Sequence, residues 1–575
     1  PEERNVRNPW KKNVSSSKIV FAEFYCFEWS IMIHIDLQGA WNHKLHGRFE
    51  IIIITLTSSS FESFSLVNVL VRYNNSYRKY FCEFGDIIVV REYATIDASF
   101  DKAAQYHEEG RFQEAERLYN LILLQLPNHY QSLGNLGLMA KQQKKYELAR
   151  NLLQKAIQIN PNYAEAYHNL ANLLKEQRKY HQAIICYQKS IQINPQNYES
   201  HYNFGLLLRE IGEFEKAINS HEMAIKYEPE NLAHEYYLSE LKKEILGTSL
   251  KNKIKKILGN KNSKITSNIV FGNYLIAKLE NKSKNYEKEL EHLIKGHESY
   301  FNHMKERFKL GVKYCFDEVL QISEGVKIKK NINNKYNKMK PIFIIGVPRC
   351  GSTLVEKIIG SGEKEISMGE ETAVLENYIN KKILEKQSLN IGSADEVRDE
   401  LSSIYKTKGI LSEKNDYIFT DKSLNNFFYL RFIKDIFPSA KIINCKRDIL
   451  SSIMSIFQNN LTDLAWTHDL DNIFKYFNNY FKIIENFNKS NPNTIYQLEF
   501  EKLSSNPEEE SKKLMEFCEL PWSKRCLEFY KRKDFFSKTA SNVQIRKAIY
   551  KHSLNKYLPY KKLLNKHGKK YSWFK

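Results

Sequence analysis

Residues 341–359 of this chain read PIFIIGVPRCGSTLVEKII. An apolar strand is followed by a turn containing two glycines, and then by a helix that begins near Ser352. This order of elements presents backbone N–H groups at a helix N-terminus, where a phosphate group can be held. The segment therefore predicts an α/β fold with a phosphate-binding loop.

The loop departs from the pattern GxxxxGK[ST] of nucleotide hydrolases, in which the lysine reaches the β- and γ-phosphates. The matching residues here are Gly346, Gly351, Ser352 and Thr353, so Ser352 stands where that lysine would be. Arg349 inside the loop supplies a planar, permanent cation suited to a phosphate nearer the nucleoside. Hydrolysis of ATP or GTP is therefore disfavoured.

Downstream of the loop, long amphipathic helical stretches separate short apolar segments that read as strands. The predicted strands are 342–345, 417–420, 441–445 and 494–500. This alternation predicts a three-layer, P-loop-like α/β domain over residues 341–575, with a doubly wound parallel sheet.

Upstream, the sequence repeats with a period of 34 residues. Three series keep this phase: Pro127, Pro161, Pro195 and Pro229; Ala115, Ala149, Ala183 and Ala217; Ala103, Gly137, Ala171 and Gly205. The prolines end helices, and the small residues let antiparallel helices approach closely. An ordinary helical bundle would not keep such a phase. We therefore predict an α-solenoid of four TPR repeats over 96–231, with four residues on its packing face: Tyr119, Leu153, Tyr187 and His221.

Two further stretches are assigned by pattern alone. Residues 232–340 stay helical in pattern and end in the basic segment KIKKNINNKYNKMK (327–340), so we predict a helical cap followed by a linker. Residues 1–95 lack helical periodicity, and both a small β-rich region and a non-native extension are open interpretations. No function is assigned to them, and the true start of the protein is open because the chain begins with Pro1.

The composition limits the class of partner. The chain of 575 residues has a formal net charge of +20, which favours anionic partners, although codon bias toward lysine would give the same bulk charge. We expect no nucleic acid among the partners. The eight cysteines form no CxxC pair, which favours a reducing, cytoplasmic location. No apolar run is long enough for a predicted transmembrane segment, and no metal-ligand cluster is visible.

The strand–xPRxGST–helix segment resembles the 5′-phosphosulfate loop of sulfotransferases. A second match is KIINCKRDILSSIMS (441–455), because that family clamps the 3′-phosphate of its donor with an arginine and a serine at the spacing of Arg447 and Ser455. The resemblance implies that PAPS (3′-phosphoadenosine-5′-phosphosulfate) is the co-substrate. Its implied contacts are Arg349, Cys350, Gly351, Ser352, Thr353, Arg447 and Ser455.

A third match, GEET (369–372), resembles tyrosylprotein sulfotransferases and implies that Glu371 is the general base. The arginine that this family has two residues later is Ala373 here, which puts a protein-tyrosine substrate in doubt. The alternative is that Glu370 and Glu371 open a helix and interact with its dipole. Lys422, in FTDKSLNN, matches the family's lysine near the bridging oxygen. His468 lies in a polar stretch and is expected at the surface.

The resemblance continues to about residue 564. Phe500 stands at the position of a tyrosine near the adenine, where it keeps the stacking and loses the hydroxyl. The segment SNVQIRKAIYKHSLNKY (541–557) resembles the loop that closes over the nucleotide. This match implies phosphate contacts for Ser541, Lys556 and Arg546.

The resemblance to bacterial TPR-containing sulfotransferases implies transfer of a sulfuryl group from PAPS to a hydroxyl, with an amine as the alternative acceptor. It implies a protein, glycan or small-molecule acceptor, a protein or peptide ligand on the solenoid, and no metal. Two rivals stay open: a P-loop kinase or NTPase, and a TPR scaffold whose α/β domain binds nucleotide without turnover.

Overall fold

The computed structural model describes residues 96–260, 266–329, 339–364, 366–411, 417–532, 537, 539, 541–549 and 557–574, together with the backbone of five strands nearer the N-terminus. The chain forms two compact units, residues 1–159 and residues 160–575. The border between these units falls within the repeats. The domain boundaries drawn from the sequence at 95, 231 and 340 remain predictions.

The five N-terminal strands form one antiparallel sheet, in which each strand pairs with its neighbours in the chain. They are Lys18–Phe27, Ser30–Gln38, Phe49–Leu56, Val67–Tyr73 and Ser76–Cys82. This backbone pattern agrees with the β-rich interpretation of the region.

Eight helices then follow at the predicted period. They are Ile96–Glu108, Phe112–Gln125, Tyr130–Gln142, Tyr146–Ile159, Ala164–Glu176, Tyr180–Ile193, Tyr198–Ile211 and Phe214–Tyr227. The four packing-face residues predicted from the sequence, Tyr119, Leu153, Tyr187 and His221, are fully buried. The prediction of four helical hairpins is therefore confirmed.

The first helix of each repeat is followed by a residue with a left-handed backbone at the same phase. These residues are Gly110 (φ 75°), Lys144 (φ 60°), Arg178 (φ 62°) and Gly212 (φ 88°). Such a residue lets the chain reverse direction after a helix C-terminus. Two of the four turns therefore carry a long cationic side chain.

Helices continue beyond the repeats up to the α/β domain. They are Leu232–Leu241, Thr248–Gly259, Thr266–Lys282, Tyr286–His303, Lys305–Lys313 and Val319–Gly325. Their buried faces, which include Leu275, Leu293 and Val319, belong to one apolar core with the sheet residues Phe343 and Ile443. The helices preceding the sheet are therefore part of the same folded core.

The sheet of the α/β domain is parallel throughout. In spatial order its strands are Ile495–Glu499, Lys441–Lys446, Lys340–Ile345, Ile418–Asp421 and Ser367–Met368. The four predicted strands are confirmed to within a residue or two, and the two-residue strand Ser367–Met368 is an addition. Lys340–Ile345 is the first strand of this sheet in chain order and lies at its centre, so the loop that follows it opens at the point where the strand order reverses.

The other helices of this domain are Ser352–Ile359, Val374–Lys386, Ala394–Thr407, Leu430–Ile436, Ile449–Phe457, Leu470–Ser490, Phe500–Ser505, Pro507–Phe517 and Lys561–Gly568. At the start of the predicted linker, Lys327–Lys329 pairs in parallel with Asn390–Ser393. Within the described part of the chain, no helix is both long enough and apolar enough to cross a bilayer.

Candidate functional site

The predicted phosphate loop lies between the central strand and the helix Ser352–Ile359. Gly351 caps this helix with a φ of 99°, a conformation that side chains with a Cβ rarely adopt. A Cβ at this position would also lie 2.5 Å from the ring of Phe500. Glycine is therefore required at 351 both by the backbone conformation and by the close packing of Phe500.

Arg349 extends from this loop and forms hydrogen bonds with three other residues that were predicted to contact the donor. Its Nε donates to Ser455 Oγ (3.0 Å), and one of its terminal nitrogens donates to Ser541 Oγ (2.8 Å). Its own carbonyl accepts a hydrogen bond from Arg447 (3.0 Å). Four residues from three distant segments of the sequence thus meet at one place.

Arg447 and Phe500 form the floor of a small cavity of about 60 Å³ on one side of Arg349. The guanidinium of Arg447 lies over the Phe500 ring, 5.2 Å from its centroid. Phe529 and Ile545 add apolar surface to the same cavity. A cation beside aromatic and aliphatic side chains suits a ligand that is both anionic and planar.

The GEET segment packs directly against the neighbouring strand. Gly369 donates its N–H to the carbonyl of Thr420 (2.9 Å), and a Cβ at 369 would lie 2.2 Å from that oxygen. Further along, the N–H of Ala373 donates to Ser423 Oγ (2.8 Å). The segment is therefore held at both ends against the strand Ile418–Asp421 and the loop after it.

The two glutamates of GEET lie in different environments, and both precede the helix that begins at Val374. Glu370 is buried, and its carboxylate pairs with Lys357 (3.3 Å). Glu371 is half exposed and lines the larger cavity described below. The alternative in which both residues share one helix-capping role does not fit these positions.

Lys422 is fully buried, and its ammonium lies 2.9 Å from Oε1 of Glu371. Burial alone would lower the pKa of Lys422, but the carboxylates of Glu371, Glu356 and Glu370 outweigh it and raise the pKa above its ordinary value. Lys422 therefore remains a cation throughout the neutral range. It is a fixed positive charge at the wall of the cavity.

The larger cavity, of about 340 Å³, brings the phosphate loop and the Lys422–Glu371 pair together. The nominated residues that line it are Arg349, Gly351, Ser352, Thr353, Glu371, Lys422 and Ser541. Four residues from the helical region, which we call the helical wall, also line it: Arg209, Tyr236, Tyr237 and Glu240. The cavity is therefore shared between the α/β domain and helices more than a hundred residues earlier in the chain.

Three other residues that were predicted to contact the donor do not line either cavity or are not described. Cys350 is buried and accepts a hydrogen bond from the thiol of Cys445, which lowers the pKa of Cys350 and raises that of Cys445. Arg546 donates to the carbonyls of Arg532 (3.0 Å) and Ile211 (3.1 Å) and lines neither cavity. Lys556 lies outside the described residues, so its predicted phosphate contact stays a prediction.

The expectation that His468 lies at the surface is wrong. The His468 ring is buried, stacks on Phe308 at 5.1 Å and lies 3.0 Å from Nδ1 of His297. Burial, and then the charge of His297, lower the pKa of His468 to about 3. The polar residues around His468 predicted an exposed ring, but helices from an earlier part of the chain cover it.

The sequence analysis did not predict that residues of the helical wall line the larger cavity. Arg209 lies at the end of a repeat helix, and its guanidinium lies 5.1 Å from the centroid of the Tyr237 ring. Arg178, in the turn of the preceding repeat, reaches Gly369 across 191 residues of sequence. No local motif marks these residues, because their neighbours are supplied by a distant segment of the chain.

Comparison with known proteins identifies two parts of the chain. The profile of the sulfotransferase family matches residues 341–524, and three profiles of tetratricopeptide repeats match within residues 137–219. The chain carries a sulfotransferase-family domain joined to TPR repeats. The sulfotransferase match includes the phosphate loop, GEET, Lys422 and Arg447, and it ends before Ser541 and Arg546.

Similar proteins include an uncharacterized protein, a protein-tyrosine sulfotransferase and a solved TPR protein. An uncharacterized protein of Aquifex aeolicus is 30% identical over 51% of this chain and 40% of its own length. Protein-tyrosine sulfotransferase A of Caenorhabditis elegans is 25% identical over 40% of this chain and 62% of its own length. A solved TPR protein of Thermus thermophilus is 18% identical, with a TM-score of 0.28, over 32% of this chain and 100% of that one. The chain thus spans about 40–62% of the length of these curated relatives.

Proposed function

We propose that this protein is a PAPS-dependent sulfotransferase that moves a sulfuryl group to a hydroxyl acceptor. The observation that carries the proposal is the Lys422–Glu371 pair, which lines the same cavity as the phosphate loop. A buried cation next to a half-exposed carboxylate offers one group for the charge on a leaving oxygen and another for the proton of the acceptor.

We assign the donor to the two cavities on either side of Arg349. The 5′ end would bind the loop residues Gly351, Ser352 and Thr353, where backbone N–H groups open a helix. The 3′-phosphate and the adenosine would bind the smaller cavity, which combines Arg447 with the Phe500 ring. The hydroxyls of Ser455 and Ser541 hold Arg349 between these two regions.

In the proposed reaction the acceptor oxygen attacks the sulfur of PAPS in line with the bridging oxygen. The new S–O bond forms as the bond to the bridging phosphate oxygen breaks, and the electron pair leaves with adenosine 3′,5′-bisphosphate. Lys422 stabilises the charge that develops on that oxygen. Glu371 takes the proton of the hydroxyl, so that a sulfate ester, adenosine 3′,5′-bisphosphate and one proton are formed.

Residues of the helical wall line the cavity in which we place the acceptor. Arg209 and Tyr237 line the same cavity as the Lys422–Glu371 pair. Since the donor is assigned to the loop side, we assign the acceptor to the helical side. A protein or peptide ligand on the repeats would bring its hydroxyl in from this direction.

The experiment is transfer from ³⁵S-labelled PAPS to a panel of acceptors that includes phenols, tyrosine peptides and oligosaccharides. We expect labelled product with the wild-type protein, and loss of that product in Lys422→Ala. Lys381→Ala, the same change at an exposed lysine, is the matched control and should keep the activity. A protein that binds adenosine 3′,5′-bisphosphate but labels no acceptor would instead support the nucleotide-binding scaffold.

A further inference from the structure

The turn of the third repeat reaches into the segment that carries the proposed base. A terminal nitrogen of Arg178 donates to the carbonyl of Gly369 (3.4 Å) and lies 3.8 Å from Oε2 of Glu370. The Glu370 side chain is only 10% exposed, so it has little access to water that could replace the arginine. Burial also makes the loss of a cation partner costly for this carboxylate.

Arg178 completes the charge balance of a group of six ionisable side chains. Three are carboxylates and three are cations: Glu356, Glu370, Glu371, Lys357, Lys422 and Arg178. Without Arg178, two lysines would face three carboxylates. Glu371 is half exposed and is stabilised by water, so the buried Glu370 would then depend on Lys357 and Lys422 alone.

The contact acts on the main chain next to Glu371. The carbonyl of Glu370 accepts the N–H of Lys422 (3.1 Å), and the N–H of Glu370 donates to Glu356 Oε1 (2.9 Å). Residues 369–371 therefore lie between the strand that leads to Lys422 and the guanidinium of Arg178. A shift of this backbone would change the Lys422–Glu371 distance directly.

The next repeat also contacts the α/β domain one period later, but there its backbone carbonyls accept the hydrogen bonds. Gly212 is the residue of this repeat that matches Arg178 at a spacing of 34. Just before it, the carbonyl of Glu210 accepts a hydrogen bond from the N–H of Ser537 (3.2 Å). The carbonyl of Ile211 accepts one from the guanidinium of Arg546 (3.1 Å). These two donors flank Ser541, which bonds Arg349. Successive repeat turns therefore hold the GEET segment and the segment around Ser541.

We propose that Arg178 is a positioning residue for the reaction, and that the TPR turns are built into the active site as well as serving as a surface for partners. The expected effect of Arg178 on turnover rests on the proposed function. The structural half of the proposal, the ordering of residues 369–371 by Arg178, holds whatever the reaction is.

The test compares Arg178→Ala and Arg178→Lys with Lys144→Ala in the full-length protein. Lys144 is an exposed residue with the same left-handed backbone at the equivalent position of the previous repeat, so the cost to the repeat itself is matched. Amide hydrogen exchange is measured for peptides that cover residues 366–374. We expect roughly fivefold faster exchange there in Arg178→Ala, a smaller change in Arg178→Lys, and none in Lys144→Ala.

Turnover of labelled PAPS, with 4-nitrophenol as the acceptor, is the second measurement. We expect kcat to fall roughly 10–100-fold in Arg178→Ala with the KM for PAPS within twofold, because the donor loops are not touched. Unchanged exchange at residues 366–374 overturns the proposal. If the wild-type protein turns over no PAPS with any acceptor, the proposed function fails, while the exchange result still decides the role of Arg178.

Discussion

The ammonium of Lys422 and the carboxylate of Glu371 are 2.9 Å apart, and the first is fully buried while the second is 52% exposed. Burial of the lysine fixes the position of the positive charge, and the half-exposed glutamate lines the cavity. A group that must accept a proton from an incoming molecule needs such access. Glu370, one residue earlier, has neither the access nor a free orientation because it pairs with Lys357.

Replacing Glu371 by glutamine keeps its size and removes its ability to accept a proton. We expect turnover to fall by roughly 10²–10⁴-fold while the affinity for adenosine 3′,5′-bisphosphate stays within about twofold. Glu363→Gln is the control, since Glu370→Gln would also break a buried ion pair. Steady-state kinetics together with calorimetry check this, and a Glu371→Gln enzyme with full turnover would remove Glu371 from the mechanism.

Arg447 should decide which nucleotide binds. We expect adenosine 3′,5′-bisphosphate to bind at least about tenfold more tightly than AMP, a difference of about 1.4 kcal/mol. Arg447→Met keeps a long side chain over Phe500 but removes the charge and the hydrogen bond to the Arg349 carbonyl, so the ratio of the two affinities should fall toward one. Arg431→Met, at an exposed arginine, is the control. Equal calorimetric affinities of the wild-type protein for both nucleotides would argue against the 3′-phosphate site.

A fragment that starts near residue 335 contains both phosphate loops, and the linker predicted over 327–340 implies that such a fragment would fold alone. The structure predicts the opposite, because the fragment would lose Leu293 and Phe308 from the packing around the sheet and around His468. It would also lose Glu289, which accepts a hydrogen bond from Tyr560 (2.7 Å). We expect residues 335–575 to aggregate, and residues 160–575 to unfold cooperatively and bind nucleotide.

Circular dichroism during heating and calorimetry with adenosine 3′,5′-bisphosphate compare the two fragments. A cooperative transition and nucleotide binding in the shorter fragment would show that the helices before residue 335 are dispensable for folding. Failure of both fragments would instead indicate that residues 1–159 are needed as well.

The buried histidine pair should make stability fall on the acid side of neutrality. Burial lowers the pKa of His297 to about 4 and that of His468 to about 3. Below pH 6.5 the unfolded chain gains protons on these rings and the folded protein does not, so stability is lost as the pH falls from about 6.5 to 4. His468→Phe, which keeps a ring against Phe308, should flatten the dependence of Tm on pH.

His303 provides the control for this series because it is exposed. His303→Phe should leave the slope of Tm against pH as it is in the wild-type protein. A His468→Phe variant whose Tm falls with pH as steeply as that of the wild type would show that other groups cause the acid sensitivity.

Much of the architecture could be predicted because it depends on local and periodic patterns. The 34-residue period placed the helical hairpins and the fully buried Tyr119 and Tyr187, because a repeated hairpin needs the same packing residue at the same phase. The strand, glycine turn and helix around Arg349 were also predicted, since this loop conformation is written in consecutive residues. Assignment of PAPS needed the resemblance to a known family in addition to these patterns.

By itself, the sequence determined which segments form helices and strands, and which chemical groups are available: a loop with Arg349, a GEET segment, and Lys422 after a strand. Only the tertiary structure decided that Glu370 is buried and Glu371 open to the cavity, that His468 is covered, and that Arg178 balances the charges beside the proposed base. The physical reason is that burial and charge neighbours depend on segments far apart in the chain. Arg178 and Gly369 are 191 residues apart, and no local pattern could bring them together.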